Sequence, residues 1–326
     1  MWLNSIKFFF VSGFIMLLSF AVHSQIKMPV CGPYAQFYNK DSLNVTSFGA
    51  STVQGNGETL NFQTPLKSFL ERCYTGKPVQ VSNYGIAGET TTQGLLRFDN
   101  AIANKTGFLL ILMGANDAVQ IADNKARVSL SLDNIRTMIN KAKAKKLDVI
   151  LGTLQYFVEP PGRTPEALLM RRRNRVIDQL NAGFKNIAVE LGVIVADINS
   201  VIGKNKELYA DAVHPNAKGY RIMSLVWFDA LNQAINENYL SPGIVQNFPN
   251  PANGFTKLGF NLPSASRTRV TLYNMRGQKV AVVFDDFRNA GFHEEQISTE
   301  LYPSGVYILY YELLNMKFSK KIIIVH

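Results

Sequence analysis

Serine is a weak nucleophile until a histidine takes its proton, and the histidine in turn needs a carboxylate to fix its tautomer and stabilise its charge. This 326-residue chain has only four histidines. His23 lies in an apolar N-terminal segment, and His293 and His326 lie in a distinct C-terminal stretch, so His214 is the only base for the long middle of the chain. Asp211 stands three residues before it, in Asp211-Ala212-Val213-His214-Pro215. On one short loop the carboxylate can accept from one ring nitrogen and leave the other for a serine. Ser51, in Gly49-Ala50-Ser51-Thr52, is the candidate, because an apolar strand-like run there gives way to a helix start whose N–H groups are free. Each signal alone has a plainer reading: Ser-Thr is an ordinary helix cap, and Asp-x-x-His is common by chance.

Two further segments supply groups that could stabilise an oxyanion. Asn83 to Thr90 carries Gly85 and Gly88, which let backbone approach a ligand, so the Gly88 N–H is a candidate donor. Gly114-Ala115-Asn116-Asp117 follows a buried apolar run, and Asn116 can offer its side-chain amide. The alternatives are turn glycines and an Asn-Asp turn or cap. One histidine in this region cannot build a His-rich zinc site, and neither H-E-x-x-H nor G-x-S-x-G occurs. The expected site therefore uses no metal and no cofactor.

The elements that must position these residues alternate. Strand-like runs at 45–48, 79–83, 108–113, 148–153 and 193–198 are separated by helical patterns near 60–74, 93–104, 129–146 and 166–191, with another near 217–236. Such alternation predicts a three-layer α/β fold, a parallel sheet covered by helices on both faces, with its site at the carboxyl ends of the strands. Ser51, Gly88 and Asn116 fall at three such ends. Past residue 237 the composition changes. The stretch Asn238 to Pro251 breaks helix repeatedly and reads as a linker, followed by six short alternating runs with Gly and Pro turns. That pattern predicts a small C-terminal β-sandwich.

Together the four motif segments resemble the SGNH (GDSL-like) hydrolase family over roughly residues 44–237. The resemblance implies a flavodoxin-like sheet, Ser51 as nucleophile, His214 as base and Asp211 as its orienter. The Ser51 N–H, the Gly88 N–H and the Asn116 amide would form the oxyanion hole. It implies a carboxylic ester hydrolase working through an acyl-enzyme. One departure stands out: the family usually has aspartate, which mostly braces the loop, where this chain has Ala50. The segments Phe248-Pro-Asn-Pro-Ala-Asn, Val270 to Val280, Ala290-Gly-Phe-His and Leu301-Tyr-Pro-Ser-Gly-Val-Tyr resemble the type IX secretion C-terminal sorting domain. That implies export through the periplasm of a Gram-negative bacterium, with the secretion machinery as partner, and release or attachment at the surface. A generic or glycan-binding sandwich is the alternative.

The remaining signals concern location and substrate. Lys7 followed by the apolar run 8–22, with Val22 and Ser24 at cleavage-site positions, predicts a signal peptide over 1–24. A hydrolase domain over 25–240 and a sorting domain over 241–326 follow. Much of the net charge of +10 sits in Lys141–Lys146 and Arg171–Arg175, on amphipathic helices. These read as solvated faces; no nucleic-acid module is recognisable. Cys31 and Cys73 are the only cysteines. An exported chain could join them, yet Cys73 also fits a buried helix face, and spacing does not separate the two readings. Short acyl groups on carbohydrate are the expected substrate. A lipase, lysophospholipase or thioesterase would use the same triad, and a glycan-binding protein with a decayed site would retain its outline. Residues 155–163 are a candidate lining for the acyl or alcohol pocket, or simply a packed loop.

Overall fold

The computed structural model describes residues 29–57 and 60–326; the predicted signal peptide lies outside the described residues. The first domain is a five-stranded parallel sheet in the order β2-β1-β3-β4-β5. Its strands are β1 (Leu43–Gly49), β2 (Val79–Gly85), β3 (Phe108–Leu112), β4 (Asp148–Gly152) and β5 (Ile194–Ala196). Every residue of β3 is buried, as its unbroken Phe-Leu-Leu-Ile-Leu run requires of a central strand covered on both faces. The long helices match their apolar patterns: α2 (Gln63–Cys73), α3 (Thr91–Ala101), α5 (Val128–Ala144), α6 (Pro165–Leu191) and α8 (Ala217–Asn238). Their ends are written locally. Thr90 and Gln93 form a reciprocal capping box on α3. Thr164 caps α6 ahead of Pro165, and Gly192 ends it in the left-handed conformation.

Of three short helices, α1 (Ser51–Gln54), α4 (Ala115–Ala122) and α7 (Ile198–Ile202), only α1 has a counterpart in the sequence reading, the helix start at Ser51. Each directly follows a strand and is too short for an amphipathic period to declare itself. The first two carry Ser51 and Asn116.

The second domain is built from β6 (Gly243–Ile244), β7 (Phe248–Asn253), β8 (Phe255–Leu262), β9 (Ser266–Asn274), β10 (Lys279–Arg288), β11 (Gly291–Ser298), β12 (Gly305–Leu313) and β13 (Met316–Ile324). They run in the order β10-β9-β12-β13-β7-β8-β11, with β6 on β8. Strand β7 pairs in parallel with β13 and antiparallel with β8, so it joins the two layers of the sandwich. Between them lies a second core that includes Leu258, Phe260, Leu272, Leu309, Tyr311 and Ile322. Here the linker reading needs correction. Pro249 and Pro251 argue against strand, but β7 makes only three register pairs to its neighbours, so a strand lacking two N–H donors is tolerated.

The arm before β1 fastens both domains together. Cys31 is disulfide-bonded to Cys73, which is also buried on the α2 face, so both readings of that cysteine hold at once. Tyr38 bridges to Leu240, and the Ser241 N–H donates to the Phe37 carbonyl at 2.9 Å.

Candidate active site

Strand β1 ends at Gly49 and the chain turns at Ala50 into α1, whose first residue is Ser51. The N–H groups of Val53 and Gln54 bond to the Ala50 carbonyl, at 3.1 and 2.9 Å. As a first-turn residue, Ser51 has no intrahelical acceptor for its own N–H, which stays free to donate. On the far side of the sheet end, the loop before α8 carries Asp211 and His214. The predicted trio is brought together. His214 Nε2 lies 2.9 Å from Ser51 Oγ, and Nδ1 lies 2.7 Å from Asp211 Oδ2. Since the carboxylate can only accept, Nδ1 is the protonated nitrogen and Nε2 is left to take a proton from serine.

Asp211 is half exposed, yet it is well held. Its Oδ1 accepts from the backbone N–H groups of Val213 and His214, both at 2.8 Å. Partial burial opposes its ionisation, but the N–H groups of His214 and Val213 and the imidazole outweigh that and keep its carboxyl below its ordinary value. The same carboxylate, after burial itself, helps push the Tyr220 phenol up to about 12, so Tyr220 remains a neutral wall of the cleft.

The glycine segment lies against the nucleophile helix. Gly85 is there for space: a β-carbon would stand 2.1 Å from the Gln54 nitrogen. The Ile86 N–H bonds to the Gly49 carbonyl at 3.1 Å, and the Ala87 N–H bonds to Gln54 Oε1 at 2.8 Å. Gly88 follows with φ of 81°, a conformation that favours glycine. Asn116, in the first turn of α4, donates from Nδ2 to the Glu89 carbonyl at 2.8 Å. One amide hydrogen is thus committed to the residue after Gly88, and the other is available. Asp117 does different work. Buried, it accepts from the Thr91 N–H, the Thr91 hydroxyl and the Ser131 hydroxyl, and so anchors the start of α3.

A cleft of about 320 Å³ opens beside Ser51 and His214, walled by Gln54, Gly55, Asn56, Leu60, Ala87, Ala210, Pro215 and Tyr220. The segment 155–163 contributes nothing to that wall. Phe157 is buried under the Arg173 guanidinium, and Tyr156 bonds to Asp178 beneath Lys204. Its aromatics are loop packing. Arg171 and Arg173 are accordingly not simple solvated charges, since Arg171 also binds Glu159 and the Gly162 carbonyl.

Without an aspartate at position 50, other side chains brace the nucleophile loop. Arg97 Nη2 donates to the Gly49 carbonyl at 3.1 Å, is paired with Glu89 and stacks on the Phe48 ring. Gln63 donates to the Val53 carbonyl at 2.8 Å, and Asn83 to the Gln54 carbonyl at 3.0 Å. None of these was legible as a functional residue, because each acts through backbone far away in sequence.

A model of the GDSL-like lipase/acylhydrolase family matches residues 47–222, and a model of the secretion system C-terminal sorting domain matches residues 246–325. Among solved structures, a lipase/acylhydrolase from Enterococcus faecalis is 26% identical with a TM-score of 0.50, covering 59% of this chain and 96% of that one. An acetylxylan esterase from Geobacillus stearothermophilus is 21% identical with a TM-score of 0.49, covering 60% of this chain and 96% of that one. An uncharacterised lipoprotein of Bacillus subtilis is 26% identical over 125 residues, which is 37% of this chain; the match spans about half, 51%, of that curated relative.

Proposed function

Because the chain belongs to the GDSL-like lipase/acylhydrolase family, whose members are carboxylic ester hydrolases, we propose that it hydrolyses esters through a Ser51-His214-Asp211 triad. The observation that carries this reading is the unbroken relay from Asp211 Oδ2 to His214 Nδ1 at 2.7 Å and from His214 Nε2 to Ser51 Oγ at 2.9 Å. Ser51 Oγ attacks the ester carbonyl as Nε2 takes its proton, and Asp211 stabilises the resulting imidazolium. The imidazolium then protonates the leaving alcohol. Water, deprotonated by the same nitrogen, attacks the acyl-enzyme and returns Ser51. The Ser51 N–H, the Gly88 N–H and the second Asn116 amide hydrogen stabilise the oxyanion.

The substrate we favour is a short acyl ester, acetyl above all, carried on carbohydrate. A cleft of about 320 Å³ sits at the low end of ligand pockets, and among the described residues Gly55, Ala87 and Ala210 provide no long apolar trench. The half-exposed His214–Asp211 pair suits a bulky hydrophilic alcohol that stays partly in water. A series of p-nitrophenyl esters of increasing chain length, beside acetylated oligosaccharides, tests this. The acetate should have the highest kcat/KM; a maximum at a long chain would favour a lipase.

The sorting domain supports export by the type IX machinery to the surface or medium of a Gram-negative host. Deleting residues from Gly243 onward should leave active enzyme in the periplasm, and normal delivery of the truncated chain would contradict this.

A further inference from the structure

Ser51 and His214 sit on separate loops, and one buried side chain bonds to the neighbours of both. Gln155 lies just beyond β4 and is 1% exposed. Its Nε2 donates to Thr52 Oγ1 at 2.8 Å and to the Val213 carbonyl at 3.2 Å. Thr52 follows the nucleophile and Val213 precedes the base. The Val213 carbonyl has no hydrogen to give, so the amide group facing it must be the NH₂, which fixes the side chain's orientation.

The backbone presenting Gln155 is clamped on both sides by α6. Asn181 takes the Leu154 N–H on Oδ1 and gives Nδ2 to the Leu154 carbonyl. Asn174 does the same for Phe157. The Val158 N–H then bonds to the Ala212 carbonyl at 2.7 Å, a second tie to the His214 loop. Gln155 Oε1 is buried with no donor among the described residues.

We infer that Gln155 is a positioning residue for this esterase, holding the nucleophile helix and the histidine loop at reacting distance through Thr52 and Val213. The inference rests on the triad reading. It also supplies, with Arg97 and Gln63, what Ala50 cannot. Reacting groups tolerate little displacement, so loss of the bridge should act on kcat and leave ground-state binding alone.

The test measures kcat, KM and Tm on full-length protein with a short p-nitrophenyl ester. Gln155→Met keeps length and volume without a donor; it should lower kcat about 10- to 100-fold with KM little changed. Tm, measured on the same variant, sets the loss of kcat against any loss of stability from the two missing hydrogen bonds. Thr52→Val should lower kcat in the same sense, and the two losses should be less than additive when combined. In Gln155→Glu the ionised carboxylate cannot donate to the Val213 carbonyl, whereas the protonated one can. Its kcat relative to wild type should therefore recover as pH falls, read at a temperature where the variant stays fully folded throughout, so that the recovery is not one of stability. Normal kcat in both Gln155→Met and Thr52→Val would overturn the inference, as would additive losses that track Tm with no pH recovery. Ser51→Ala, run alongside, separates the failures: an inactive Ser51→Ala beside an unaffected Gln155→Met sinks only the bridge, while an active Ser51→Ala sinks the triad.

Discussion

The cleft at Ser51, of about 320 Å³, is half the size of an open groove of about 640 Å³ on the sandwich, lined by Arg269, Tyr273, Tyr310, Glu312 and Lys317. Size and chemistry part company here. The groove is the outward face of neighbouring strands β9 and β12 together with the turn after β9. Its Arg269 is loosely paired with Asp285 and Glu312, at 3.9 and 4.0 Å, and it holds no nucleophile beside a base. In the cleft, a histidine held by a carboxylate lies against one hydroxyl. The two regions are also held differently. Backbone ladders and a buried core fix the sandwich, so the side chains of its outward groove are the replaceable ones. Around Ser51 the irregular backbone is fixed by side chains such as Gln63, Asn83, Arg97 and Gln155, so single substitutions should matter far more.

The contrast can be broken most severely at the nucleophile. Ser51→Ala should lose essentially all ester turnover with an unchanged circular dichroism spectrum; substantial residual kcat would move the nucleophile elsewhere. Next comes Asp211→Asn, which puts an N–H where Nδ1 needs an acceptor and should cost about 10³- to 10⁴-fold in kcat. Asn116→Ala should follow, losing about 2.7–4 kcal/mol of transition-state stabilisation, read as kcat at unchanged KM. A change confined to KM would make Asn116 a ground-state contact.

The pH dependence sharpens the same point. Asp211 is held below its ordinary value of 3.8, so it stays ionised through the range in which the enzyme would be assayed. Protonated His214 cannot accept from Ser51, so kcat/KM should fall with falling pH in a single ionisation step. A second step on that limb would mean that the carboxylate titrates too. The sign for stability agrees: a depressed carboxyl contributes above its unfolded value and loses that contribution only as pH falls through the lower folded one. Smallest of all should be changes on the other side of the comparison. Tyr273→Ala, Tyr310→Ala, or removal of everything after Leu240 should leave kcat within about twofold, since these sites share no partners with the triad. The truncation keeps the bond from the Asn39 N–H to the Tyr239 carbonyl and the disulfide. A large loss on truncation would mean that the sandwich shapes the cleft.

What the chain discloses in advance follows from how local each signal is. Asp211 and His214 are legible because three residues separate them, and Ser51 because a strand end meets a helix start. The parallel sheet is legible because covered strands such as β3 read as pure apolar runs. Cys31 and Cys73 could not be decided, since burial and bonding leave the same mark on an α2 face. Strand β7 is hidden by its prolines. Gln155 is hidden most completely, for it touches Thr52 across 103 positions and a loop glutamine has no pattern of its own.

Covalent labelling tests the central claim most directly. Full-length protein treated with a fluorophosphonate should gain one adduct by intact mass, mapped by peptide analysis to Ser51, and turnover should disappear in step with it. His214→Ala should slow labelling severely, and Ser51→Ala should abolish it. An adduct on another residue that tracks the loss of activity, or full turnover after Ser51 is modified, would contradict the account.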